Sequence, residues 1–121
     1  QTCHTGPAMG GQSFEYADLK GDFFGGRAKT NDDNGLMNFT KKETDKHRFR
    51  VPTLRNVELT WPYMHDASAQ TLEEAITKMY HYQLGYDKLD KTEVRLLVAF
   101  LKTLTGEYQG KPVRGEVCPA P

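Results

Sequence analysis

The chain has 121 residues and a mass of 13.7 kDa, one domain's worth, with no room for a second core of useful size. Lys plus Arg is 16 and Asp plus Glu is 16. The zero net charge excludes a globally basic nucleic-acid binder and a polybasic membrane-surface module.

Leu, Ile, Val and Phe number 24, of which 6 precede Phe49, 16 lie within 49–104 and 2 follow. So thin a supply leaves a strongly charged chain disordered, but this chain is neutral. Two outcomes remain: a small core with a loose first third, or a core completed by something that is not protein. No run of about 18 apolar residues is present, so no membrane span is expected. No basic and apolar leader opens the chain, and Gln1 in place of Met reads as a mature product or a fragment. Cys3 and Cys118 near the two ends fit a terminal disulfide or two thiols equally well.

In chain order, residues 1–48 read as loop, punctuated by Gly6, Gly10, Gly11, Gly21, Gly25, Gly26 and Gly35, with a turn at 31–35. Counted from Asp32, Glu43 falls at the twelfth position of a calcium loop. The fifth position is Leu36 and the sixth is Met37, where such a loop needs Gly, so the run reads as a turn. A short helix is expected at 13–19, and another over 51–56 with Pro52 at its first position, where the missing N–H is harmless.

Thr71 and Glu74 form a capping box that starts a helix running to about Tyr82, with Leu72, Ala75, Ile76 and Met79 on its inward face. Asp90 and Glu93 form a second box. Its helix turns Val94, Leu97, Val98, Leu101 and Leu104 inward, Leu96 and Phe100 widen the stripe, and Gly106 stops it. Residues 107–121 form a tail that wraps the surface or moves. No alternation long enough for a sheet is present, and the expected class is all-α with long loops.

Cys3-His4 carries the first chemistry. Cys followed directly by His is the second half of the c-type haem attachment motif, in which thiols add across the haem vinyl groups and the adjacent His is placed under the iron. The first Cys of that motif would fall one position before Gln1. A haem iron held by one His has a sixth position, where a thioether suits electron transfer. Met37, Met64 and Met79 are candidates, whereas Met9 is five residues from His4 and reaches the opposite face poorly. Each is equally readable as apolar filler.

The runs FRVPTLRNVELT at 49–60, PYMHD at 62–66, TLEEA at 71–75 and LVAFLKTLTG at 97–106, behind Cys3-His4, complete a pattern. In order, they resemble the C-terminal haem domain of the bacterial dihaem cytochrome c peroxidase and MauG-like family. The resemblance implies a cytochrome c-like haem domain over 1–106 with 107–121 as its tail. It further implies a periplasmic enzyme of two haem domains, of which this is the electron-transferring one. It would take electrons from a small soluble donor, a cytochrome c or a cupredoxin, and pass them to a peroxidatic haem in the partner domain, where hydrogen peroxide is reduced to water. A MauG-like oxidase, a monohaem electron shuttle and a haem-free helical domain are the alternatives. Homodimerisation stays open, and no nucleic acid is expected.

Carried over residue by residue, the resemblance makes His4 the proximal ligand, Cys3 a thioether anchor and Met79, 14 residues after His65, the distal ligand. A Tyr takes the distal role in MauG-like members, which keeps Tyr80 and Tyr82 in view. The backbone carbonyls of Thr60 and Pro62 match a calcium site completed by the other domain. Pro52 and Arg55 are expected beside the haem. Arg50 and Arg55 pair either with its propionates or with surface ions. His65 reads as a structural hydrogen-bonding residue near the haem, and His47 and His81 as surface groups. Trp61 either faces the other domain or is a partly buried anchor. Ala67 departs from the family's usual Gly after Asp66, so the backbone angle there is expected to differ. A porphyrin would supply the missing core: without it, the first 48 residues are expected to unfold and the 94–104 helix to fluctuate.

Overall fold

The computed structural model describes residues 3–115, so Cys118, and the question of its pairing with Cys3, lies outside the described residues. The two capped helices stand where the sequence places them. Helix α2 (Leu72–Leu84) begins at Thr71, whose hydroxyl accepts from Glu74 N at 3.1 Å while the Glu74 carboxylate accepts from Gln70 N at 2.6 Å. It closes on Gly85 at φ +77, a left-handed position that favours glycine, whose N–H donates to the His81 carbonyl at 3.0 Å. Helix α3 (Lys91–Lys102) begins at Asp90, which accepts from Thr92 N at 2.7 Å. That backbone donor holds the Asp90 carboxyl below its ordinary range. The two helices pack on each other, and Leu72 and Val98 are their buried residues.

Helix α3 stops earlier than expected. Thr103 donates to the Ala99 and Phe100 carbonyls and ends the helix at Lys102, and Gly106 instead donates its N–H to Asn56 Oδ1 at 2.9 Å. Leu97, expected inward, is 42% exposed, and Leu96 and Phe100 beside it are exposed too.

The all-α expectation is overturned. Strand β1 (Phe14–Tyr16) pairs antiparallel with β2 (Arg48–Arg50), Phe14 opposite Arg50 and Tyr16 opposite Arg48. Strand β3 (Glu107–Tyr108) pairs with β4 (Lys111–Pro112), so the first part of the tail forms a hairpin. Strands this short show no period-2 pattern, and β1 finds its partner on the far side of a long loop, where no local signal marks it. The helix expected at 13–19 is therefore β1 followed by a turn. The helix expected at 51–56 is likewise absent. Val51 donates to the Ser13 carbonyl at 2.8 Å and accepts from Gly11 N at 2.7 Å, so its backbone groups are committed to a neighbouring loop. A 3₁₀ turn, Val57–Leu59, follows Asn56 at φ +59.

Between β1 and β2 the chain makes 3₁₀ turns at Asn31–Asn34 and Glu43–Asp45 and one turn of helix, α1 (Met37–Thr40). This third of the chain contributes to the core. Phe24 is 1% exposed and Asp33 2%, the largest fully buried side chains among the described residues, with Val51, Ala69, Leu72 and Val98 completing a small core. No helix among the described residues is long and apolar enough to cross a membrane.

Candidate functional site

His4 follows Cys3 at the start of a loop that folds back on the extended segment 51–54. Its ring nitrogen Nδ1 has two backbone acceptors, the carbonyls of Met9 and Pro52, each at 3.2 Å. A proton on Nδ1 satisfies both and leaves Nε2 as the nitrogen able to bind a metal, the arrangement by which a protein fixes the tautomer and ring angle of a ligating His. Gly10 makes this approach possible: a Cβ there would lie 2.0 Å from the Pro52 carbonyl oxygen, and the residue sits at φ +143. Pro52, predicted beside the cofactor, is thus brought to His4, acting through its carbonyl oxygen.

Met79 stands on α2 and is 39% exposed. It is not the buried filler of the helix's inward face. Tyr80 and Tyr82 are half-buried on the same helix, Tyr80 against Tyr86 at 5.1 Å and Tyr82 against Phe23 at 5.1 Å between ring centroids. Arg50 is exposed. Arg55 is exposed as well and borders an open depression of about 610 Å³ with Tyr108 and Lys111 of the β3–β4 hairpin. Thr60 ends the Val57–Leu59 turn, its hydroxyl donating to the Val57 carbonyl at 3.0 Å, and Pro62 follows a cis Trp61–Pro62 bond. Between them, the Trp61 indole nitrogen is buried without an acceptor among the described residues. No group of three or more His, Cys, Asp or Glu able to hold a metal ion occurs among the described residues.

His65 is a structural hydrogen-bonding residue, as expected. Its Nε2 lies 2.7 Å from Asp33 Oδ1, and its ring stacks on Phe49 at 4.1 Å. Asp33 also receives Arg27 through both guanidinium nitrogens, at 2.6 and 2.8 Å, and the Thr30 N–H at 2.7 Å. Arg27 extends to Asp66 at 3.2 Å. The Arg27 hydrogen bonds hold the Asp33 carboxyl far below the carboxylate range, against burial, which pushes it up. His47, expected at the surface, is instead largely buried: its Nδ1 sits 3.1 Å from Asp18 Oδ2 and its ring lies 4.4 Å from Phe24. His81 is exposed, as expected. Ala67 lies at φ +56, a left-handed position favouring the glycine that it replaces relative to the resemblance.

Several relatives match most of this chain, two of them at nearly half identity. The cytochrome c551 peroxidase of Nitrosomonas europaea is 48% identical over 105 residues, covering 87% of this chain and 30% of that protein. The cytochrome c peroxidase Ccp of Escherichia coli K12 is 49% identical over 107 residues, covering 88% and 23%. The crystal structure of a MauG-like protein associated with microbial copper homeostasis superposes with a TM-score of 0.65 at 30% identity, over 84% of this chain and 38% of that one. The chain belongs to the cytochrome c peroxidase and MauG-like family. It spans a third or less of the length of these two curated relatives. No family model matches it.

The donor set fits the haem c that this family implies. Cys3 supplies a thiol, the adjacent His4 a ring oriented through Nδ1, and Gly10 the clearance that lets the Pro52 carbonyl reach it. Thr53, Arg27 and Asp33 were not singled out by the sequence, and Met9 and Gly10 read there only as a poorly placed methionine and as loop punctuation. The Gly10-Gly11 pair soon after Cys3-His4 was the available signal for a close backbone approach, and a backbone acceptor such as Met9 leaves no mark on its own side chain.

Proposed function

We propose that this chain is the electron-transferring haem c domain of a dihaem cytochrome c peroxidase, with the domain over 1–106 and the tail over 107–121. The observation that carries the reading is the fixed His4 ring directly after Cys3, its Nδ1 satisfied by the Pro52 and Met9 carbonyls and its Nε2 left to ligate. Haem c bound there supplies a one-electron iron couple. His4 would hold the iron, Cys3 would anchor the porphyrin, and Met79 would offer it a thioether. A soft sulfur ligand favours the reduced iron and suits electron acceptance from a mild donor. Arg50 and Arg55 offer forked cations to the propionates.

The rest of the polypeptide supplies the peroxidatic haem, and a small cytochrome c or cupredoxin supplies electrons in the periplasm. The carbonyls of Thr60 and Pro62 offer hard oxygen donors to a calcium ion whose remaining protein ligand comes from the other domain. Trp61, between them, is a partly buried anchor.

The test is spectroscopic and kinetic. The haem-loaded chain should show a sulfur-to-iron absorption band that Met79→Ala abolishes, and should turn over hydrogen peroxide poorly alone. Robust peroxide turnover by these residues alone contradicts the division of labour. A second reading, a MauG-like oxidase with Tyr80 or Tyr82 as distal ligand, draws on the likeness to the MauG-like structure. An unchanged spectrum in Met79→Ala favours it.

A further inference from the structure

Five hydrogen bonds stitch the loop after Cys3 to the extended segment 51–54, one of them from Val51 N to the Ser13 carbonyl at 2.8 Å. Gly11 N donates to the Val51 carbonyl at 2.7 Å and Leu54 N to the Met9 carbonyl at 3.2 Å. His4 Nδ1 donates to the Pro52 carbonyl at 3.2 Å, and the Thr53 hydroxyl donates to the Ala8 carbonyl. Apart from His4, Thr53 is the one side chain in this stitch. Its oxygen also accepts the Arg55 N–H at 3.1 Å, which directs the hydroxyl proton at Ala8.

The Met9 carbonyl is the second acceptor for His4, and it is not where the chain would place it unaided. Met9 sits at φ +50, a left-handed position that a Met side chain disfavours. The Ala8 carbonyl that Thr53 grips belongs to the peptide entering Met9. The Leu54 N–H also holds the Met9 carbonyl, so releasing the Thr53 grip leaves the strained residue tethered at that one point and lets its carbonyl turn away from Nδ1.

We propose that Thr53 is a positioning residue that sets the electron density of the His4 ring by holding the Met9 carbonyl as a second acceptor at Nδ1. The proposal rests on the reading of His4 as a haem ligand. A proton shared between two carbonyls is drawn further from Nδ1, which makes Nε2 the more basic ligand. A more basic ligand favours iron(III) over iron(II). Losing one acceptor therefore raises the midpoint potential.

The experiment measures the midpoint potential of the haem-loaded protein, and by NMR the hydrogen exchange of the His4 Nδ1–H, for wild type, Thr53→Val, Thr53→Ala and Thr53→Ser. The two variants without a hydroxyl should show a higher potential and Nδ1–H exchange faster by about fivefold, the factor a lost neutral hydrogen bond carries. Thr53→Ser should match wild type on both. Thr53→Ala keeps the test alive where the Val methyl does not fit. The proposal is overturned if the variants lacking the hydroxyl match wild type, or if Thr53→Ser shifts as far as they do. A wild-type protein with no haem on His4 overturns the underlying reading as well. A haem-loaded wild type with unmoved variants overturns this proposal alone.

Discussion

The imidazole Nε2 of His65 lies 2.7 Å from the buried carboxylate oxygen Oδ1 of Asp33, joining the glycine-rich first third of the chain to the turn that follows Pro62. Arg27 grips the same carboxylate through two nitrogens and reaches on to Asp66, so one buried anion ties the loops on both sides together. Loop-rich segments with few apolar residues are ordered by such charge-assisted bonds where burial alone is too small.

Asp33→Asn should destabilise the fold by about 1–3 kcal/mol, because the buried amide cannot accept from all the donors that Arg27, Thr30 and His65 aim at the carboxylate. Urea denaturation of wild type and variant under identical haem loading measures it. Equal midpoints would remove the network from the account.

The same carboxylate sets an acid dependence. The folded Asp33 carboxyl lies far below its unfolded value of about 3.9, so its contribution is complete above that value and is lost as pH falls toward the folded one. The stability gap between wild type and Asp33→Asn should narrow steadily as pH falls below about 4. Denaturation series at stepped pH give the gap directly, and a gap that widens on acidification has the wrong sign.

How much of this was legible follows from how local each signal is. Thr71 with Glu74, and Asp90 with Glu93, announce two helices because a capping box is complete within four residues. Cys3-His4 is readable as half of a haem-attachment motif because its two residues are contiguous. The β1–β2 pairing and the Asp33–His65 contact join residues that are distant in sequence, so no window contains them. Asp33 read as part of a turn, and it is one, but its burial against Arg27 decides its role. Val51 to Asn56 has the residues of a short helix and fails to form one because Gly11 and Ser13 take its backbone groups.

Gly10→Ala should lower stability by about 1–3 kcal/mol, since the added methyl would overlap the Pro52 carbonyl oxygen and carbon, which are backbone atoms that cannot swing aside. The displaced carbonyl would also release His4 Nδ1. Thermal unfolding together with the visible spectrum separates the two effects, and a variant that matches wild type in both contradicts the close approach.

Thr71→Ala should cost about 1 kcal/mol by removing the hydroxyl that accepts the Glu74 N–H at the start of α2. Thr71→Ser should recover most of it. Because α2 also carries Met79, a fraying first turn that leaves the sulfur-to-iron band intact would show that the ligand is held by the later turns. Chemical denaturation supplies the energy and the absorption spectrum the ligation.

The claim on which the rest depends is that Cys3 and His4 hold a haem covalently. Intact mass of the protein produced with haem-attachment machinery, followed by peptide mapping, tests it most directly. The account predicts a mass raised by one haem with the adduct on the peptide containing Cys3, lost in Cys3→Ala when Cys3 is the sole anchor. An unmodified mass under those conditions contradicts it.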